Sequence, residues 1–189
     1  VSERSRLAFP EITVGLFPDV GGSWLLNRVP ARAGLFLALT GAPLSAGDAV
    51  YAGMADHFIA ETQRAGVIAA VCDASWSAQA EDNHRELTAL LQGFGQEAPA
   101  GPLQTHAARI KALCTHDDLA DVAMAIAALE DEDPWLQTAK ATLASGAPGS
   151  ARLGYELQCR AKSLSLADVF RLEYVVALHC AAHGDFFEG

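Results

Sequence analysis

With 189 residues the chain has room for one core, or for one domain with an appendage. Apolar residues make up 51% and aromatics only 7%, a balance that favours helices packed on helices over a strand-rich sandwich. The net charge of −10 speaks against nucleic acid or an anionic membrane as partner, and the chain shows no signal peptide and no apolar run near the ~20 residues that span a bilayer, so a soluble protein is expected.

Leu7-Ala8-Phe9 reads as a short strand, and Pro10 keeps Phe9 extended. A lone strand is not stable, so its partners are expected outside this sequence, which marks the chain as a fragment. Helical signals begin at Ser23. A short turn or helix covers Ser23 to Val29, and Pro30 opens a second helix through Leu35, Phe36, Leu37 and Leu39 that Gly41 ends. Ser45 and Asp48 form an S-x-x-D capping pattern, with Gly53 closing that helix. Asp56-His57-Phe58-Ile59 reads as a second short strand.

Beyond Glu61 helices are predicted near 62–73, 79–93, 103–114, 117–129, 134–145, 150–163 and 165–183. The acidic run Glu130-Asp131-Glu132-Asp133 lacks the alternating ligands of a calcium loop; it reads as a solvated loop with Asp133 as N-cap and Pro134 at N1. Ser165 with Asp168 is another cap. The last helix carries Val169, Phe170, Leu172, Tyr174, Val175, Val176 and Leu178 and is expected to be buried on several sides, centrally or at a subunit interface. The four cysteines, Cys72, Cys114, Cys159 and Cys180, form no C-x-x-C pair and fit reduced thiols of a cytoplasmic protein. His179 and His183 have metal-ligand spacing, but without a Glu after the first or a third ligand nearby they read as helix histidines, and no metal site is expected. Asp185 and Glu188 read as loop anchors.

The chemistry-bearing stretch is Phe9 to Ser23. Two carboxylates, Glu11 and Asp19, stand among Phe9, Ile12, Val14, Leu16, Phe17 and Val20, where burial raises a carboxyl pKa toward the range of proton transfer. Gly15, Gly21 and Gly22 allow tight turns and close approach of a ligand, and the N–H groups opening the following helix favour an anion. The plainer alternative is that Asp19 only caps the helix and Glu11 lies on the surface.

Pro10-Glu11, Gly15, Pro18, Gly21-Gly22, then Leu39-Thr40-Gly41, then Ala49 through Gly53-Met54-Ala55 resemble the P-E-x-x-x-G-x-x-P-x-x-G-G, L-T-G and A-x-x-x-G-L/M-A/V motifs of the crotonase (enoyl-CoA hydratase/isomerase) superfamily. Asp19 within F-P-D-V-G-G, the A-D-H-F at 55–58 and the His183–Gly189 segment are most similar to its 3-hydroxyisobutyryl-CoA hydrolase branch. The resemblance implies a mainly α chain with at most two or three short strands: residues 1–60 the tail of the α/β core, residues 61–189 a helical C-terminal domain. It implies Glu11 as catalytic carboxylate, Asp19 as its partner, and Gly15, Gly21 and Gly22 near an acyl-CoA substrate. Coenzyme A enters as part of that substrate, and no separate cofactor is implied. The oxyanion-hole donors and most of the CoA pocket are expected upstream of Val1, so the missing N-terminal half is the first partner expected, with homo-oligomerisation a further one. A mitochondrial-matrix location is implied if the source is eukaryotic. Enoyl-CoA hydration or isomerisation is the alternative activity, and a non-catalytic helical assembly module the alternative role.

Overall fold

A computed structural model describes residues 1–183 and 186. It is mainly α-helical, with eleven α-helices among the described residues. The chain divides into two compact units, one built from Val1–Arg6 and Leu44–Gln104, the other from Leu7–Pro43 and Thr105 onward.

The first unit holds α3 (Ala46–Tyr51), α4 (Arg64–Asp73) and α5 (Ala80–Phe94). Ser45 caps α3 by a reciprocal box: the Asp48 amide donates to Ser45 Oγ at 3.2 Å and the Ser45 amide to Asp48 Oδ2 at 3.0 Å. The buried Asp48 carboxylate also receives the Gln104 amide at 3.2 Å. Helices α4 and α5 pack on one another, with the Phe94 ring against Gly66. The stretch expected as a strand at Asp56–Ile59 is extended but makes only an isolated antiparallel bridge, Phe58 to Gln96, while the Ile59 amide donates to the Val1 carbonyl at 2.8 Å.

The second unit is organised on α2 (Ala33–Thr40), all of whose residues are buried, as its uniformly apolar sequence demands. Around it pack α1 (Gly22–Leu26), α7 (Ala107–Leu113), α9 (Pro134–Ser145) and α10 (Pro148–Ala161). Small residues set the spacing: Gly154 of α10 faces the Ala38 methyl group, and any side chain at Gly34 would strike the Leu26 backbone. Gly41 ends α2 with a left-handed φ of 57° and donates its amide to the Leu37 carbonyl at 2.9 Å. α8 (Leu119–Ala127) packs on α9, and α11 (Leu166–His183) meets α1. Phe17, Leu157 and Cys180 form a core cluster joined by Leu16, Leu153, Leu172 and Val176. Between the units in sequence lies α6 (Pro102–Thr105), with Leu103 fully buried.

Several expectations are corrected. Leu7–Phe9 is no strand; only Leu7 carries a bridge, because a strand without a neighbour has nothing to pair its backbone with. Pro30 does not open α2, since a 3-10 turn at Pro30–Arg32 is followed by a kink with Ala31 and Arg32 at φ 59° and 57°. The helix predicted over 103–114 breaks at His106. Of the two settings expected for the last helix the central one is not met: Phe170, Tyr174, Val175 and Leu178 are exposed, while Val169 and Glu173 are buried. Among the described residues no helix is long and apolar enough to cross a membrane.

Candidate active site

Pro10 starts a 3-10 turn, Pro10–Thr13, that carries Glu11. The turn is anchored by Ile12, which is buried and accepts the Ala147 amide at 3.0 Å while packing against Gly146. The Glu11 carbonyl accepts the Val14 amide at 3.1 Å and the Leu16 amide at 3.0 Å, a closure that needs the left-handed φ of 75° at Gly15. The Glu11 side chain therefore turns inward. Its Oε2 is buried without a hydrogen-bond partner in the chain. Burial raises the Glu11 pKa above its ordinary value; a hydrogen bond from its own backbone opposes this, and the charge of Asp19 adds a smaller upward push.

Asp19 opens a tight turn. The Gly22 amide donates to the Asp19 carbonyl at 2.8 Å, with Val20 at φ 54° and Gly21 at φ 85° between them. Two successive left-handed residues make this a type I′ turn, unusual ground for a β-branched side chain. Val20 is 78% exposed, so its burial does not hold the turn. The tie comes from α11: Glu173, 2% exposed, accepts the Gly21 amide on Oε2 at 2.6 Å and the Ser23 amide on Oε1 at 3.0 Å. Leu166 and Phe170 of the same helix pack on Gly21.

The backbone amides opening α1, expected to face an anionic ligand, are thus engaged within the chain at Gly21, Gly22 and Ser23. Gly22 is packed under Pro18. Sequence reasoning missed Glu173; its signal was a lone acid amid the apolar run Val169 to Leu178. A shallow cavity of about 190 Å³ lies between Asp19 and Val20 on one side and Phe170, Glu173, Tyr174 and Ala177 on the other.

A carboxyl whose proton affinity is raised by burial can accept and deliver a proton, the requirement for general acid–base work. Among the described residues no group of three His, Cys, Asp or Glu side chains could hold a metal ion. The His183 side chain, Asp185, Glu188 and most of the His183–Gly189 segment lie outside the described residues.

Comparison with known proteins identifies the family. Residues 1–189 match the family described as enoyl-CoA hydratase/isomerase. Relatives include the mitochondrial 3-hydroxyisobutyryl-CoA hydrolases of Danio rerio, 31% identical over 193 residues, and Xenopus tropicalis, 28% identical over 194. Each match takes in the whole of this chain but 49% and 48% of the relative, so the chain spans about half their length. Among solved structures, a carnitinyl-CoA dehydratase from Mycobacterium thermoresistibile superposes with a TM-score of 0.84 at 34% identity, covering 98% of this chain and 51% of that one. An enoyl-CoA hydratase from Rhodobacter sphaeroides 2.4.1 gives 0.78 at 31% identity, covering 98% and 50%.

Proposed function

The chain belongs to the enoyl-CoA hydratase/isomerase family, and from that premise we propose that Glu11 and Asp19 are the working pair of an acyl-CoA thioester hydrolase of the 3-hydroxyisobutyryl-CoA type, in a protein of its relatives' full length. The observation that carries the reading is the buried, unpartnered Glu11 Oε2, a carboxyl whose proton affinity burial raises. In this reading Glu11 acts as base or nucleophile at the thioester carbonyl, water supplies the new C–O bond, the C–S bond breaks, and Asp19 delivers the proton to the leaving thiolate or orients its partner. Support for hydrolysis comes from the relatives named as hydrolases and from a carboxylate at Asp19.

A second reading, addition of water to an enoyl-CoA with Glu11 and an acid from the remaining half, is favoured by the two structural neighbours named as a dehydratase and a hydratase. Asp19→Asn separates the two. In the full-length protein, free-thiol release from 3-hydroxyisobutyryl-CoA should fall about 10²- to 10⁴-fold in both Glu11→Gln and Asp19→Asn. An Asp19→Asn variant that releases thiol at the parent rate, or a parent that hydrates enoyl-CoA and releases no thiol, overturns the hydrolase reading. The present chain alone should release no thiol above the buffer rate, since loss of even one oxyanion donor costs about 10²- to 10³-fold.

A further inference from the structure

We propose that Glu173 is the positioning residue of this site, the group that fixes Asp19 by clamping the turn that Asp19 opens. The inference rests on the role assigned above to the Glu11–Asp19 pair, but its test reads the pair without turnover. Glu173 spends both carboxylate oxygens on the backbone: Oε2 on the Gly21 amide at 2.6 Å, Oε1 on the Ser23 amide at 3.0 Å. Two bonds from one planar group fix orientation as well as distance, and ionised acceptors make the stronger bonds. The clamped residues bracket the turn that needs such a hold. Val20 sits in the left-handed region with its side chain in solvent, and such a backbone persists only where its surroundings over-determine it. Asp19 is the first residue of that turn, its carbonyl bonded to the Gly22 amide between the two clamped positions. Asp19 is also the charged neighbour that raises the proton affinity of Glu11. A carboxylate of α11 thus fixes the turn that carries Asp19. Both Glu173 carboxylate oxygens are taken up by the turn, so Glu173 acts on the site through Asp19.

The test is a ¹³C NMR titration of the Glu11 carboxyl in the present chain. Asp19→Asn should lower the Glu11 midpoint by removing the facing charge. Glu173→Gln, which has one acceptor oxygen and turns an NH₂ toward an amide donor, should lower it by at least half as much. Glu173→Asp keeps the charge but is one methylene shorter, so it should lower the midpoint too. The double variant Asp19→Asn/Glu173→Gln should lie no lower than Asp19→Asn alone, because residues acting through one another are not additive. Val122→Ala, which destabilises the distant α8 core, should leave the midpoint in place and controls for loosened folding. A Glu11 midpoint unmoved in folded Glu173→Asp, or a double variant in which the two effects add, overturns the proposal. Should Glu173→Gln fail to fold, Glu173→Asp and its double with Asp19→Asn carry the same comparison. A failed thiol-release assay with this titration pattern intact would sink the hydrolase reading and leave the clamp standing.

Discussion

His106 Nε2 lies 3.0 Å from Asp133 Oδ2, and the other oxygen of that carboxylate caps α9 through the Trp135 amide at 2.8 Å. The Trp135 ring stacks on the imidazole with centroids 6.0 Å apart, so the residue preceding α7 and the first turn of α9 are tied through one acid. The His106 bond, then the Trp135 amide, hold the Asp133 carboxyl below the usual carboxylate range. A lowered folded-state value means the tie stabilises fully above the unfolded Asp value of about 3.9 and is lost as pH falls through the lower folded value. Asp133→Ala should therefore reduce the thermal midpoint at pH 7 by about 2–4 °C. Asp133→Asn, still a competent cap, should lose less. The gap between parent and Asp133→Ala should close in acid, as followed by circular dichroism.

Glu11 has the opposite sign. Its folded-state pKa is raised, so it favours the fold fully below the unfolded Glu value of about 4.3 and loses that contribution as pH rises through the folded value. Glu11→Gln should leave the chain more stable than the parent at pH 7, with the gain gone below about pH 4. Urea unfolding at the two pH values measures it. A site residue whose removal stabilises is the mark of a group kept for chemistry rather than for folding.

Val20 offers a test of backbone strain. Its left-handed φ of 54° costs a β-branched residue about 1–2 kcal/mol, and its side chain recovers little by burial. Val20→Asn, which tolerates this conformation, should raise the unfolding free energy by about 0.5–1 kcal/mol. Equal midpoints and slopes in urea for parent and variant would show that the turn holds no such strain.

The thiols should divide by burial. Cys72 and Cys159 are exposed, Cys114 and Cys180 buried. Burial pushes the Cys114 thiol up to about 12, leaving almost none of the reactive thiolate at pH 8. Iodoacetamide followed by peptide mass spectrometry should label Cys72 and Cys159 within minutes and Cys114 only once denaturant unfolds its unit.

Where the sequence announced a boundary through a residue whose chemistry acts locally, it was legible. The Ser45–Asp48 box, the Asp133–Pro134 start of α9, the Ser165–Asp168 cap of α11 and the Gly41 stop of α2 all stand as read. Glu11 and Asp19 stood out through the motif that carries them; of the apolar neighbours expected to bury them, Ile12 and Phe17 are buried but Val14 and Val20 are exposed. The kink at Ala31–Arg32 could not, since neither residue type favours positive φ and the chain path there is imposed by packing. Nor could Glu173, whose partners lie 152 and 150 positions away. The apolar composition of α11 suggested burial on several sides, yet Phe170, Tyr174 and Leu178 align along one outward stripe at four-residue spacing.

The bond from Ser23 to Glu173 closes a loop of 150 residues, and that separation has a kinetic meaning. Contacts between distant parts of a chain are gained only after the entropy of bringing their ends together has been met, so they are made late. The packing of α7, α9 and α10 on α2 is itself long-range, and the Asp19 turn acquires its lock later still, when α11 arrives. During synthesis Asp19 could be locked only after Glu173, 150 residues beyond Ser23, had been made. Nicking or trimming within α11 should then release the Asp19 turn and, with it, the core cluster of Phe17, Leu157 and Cys180.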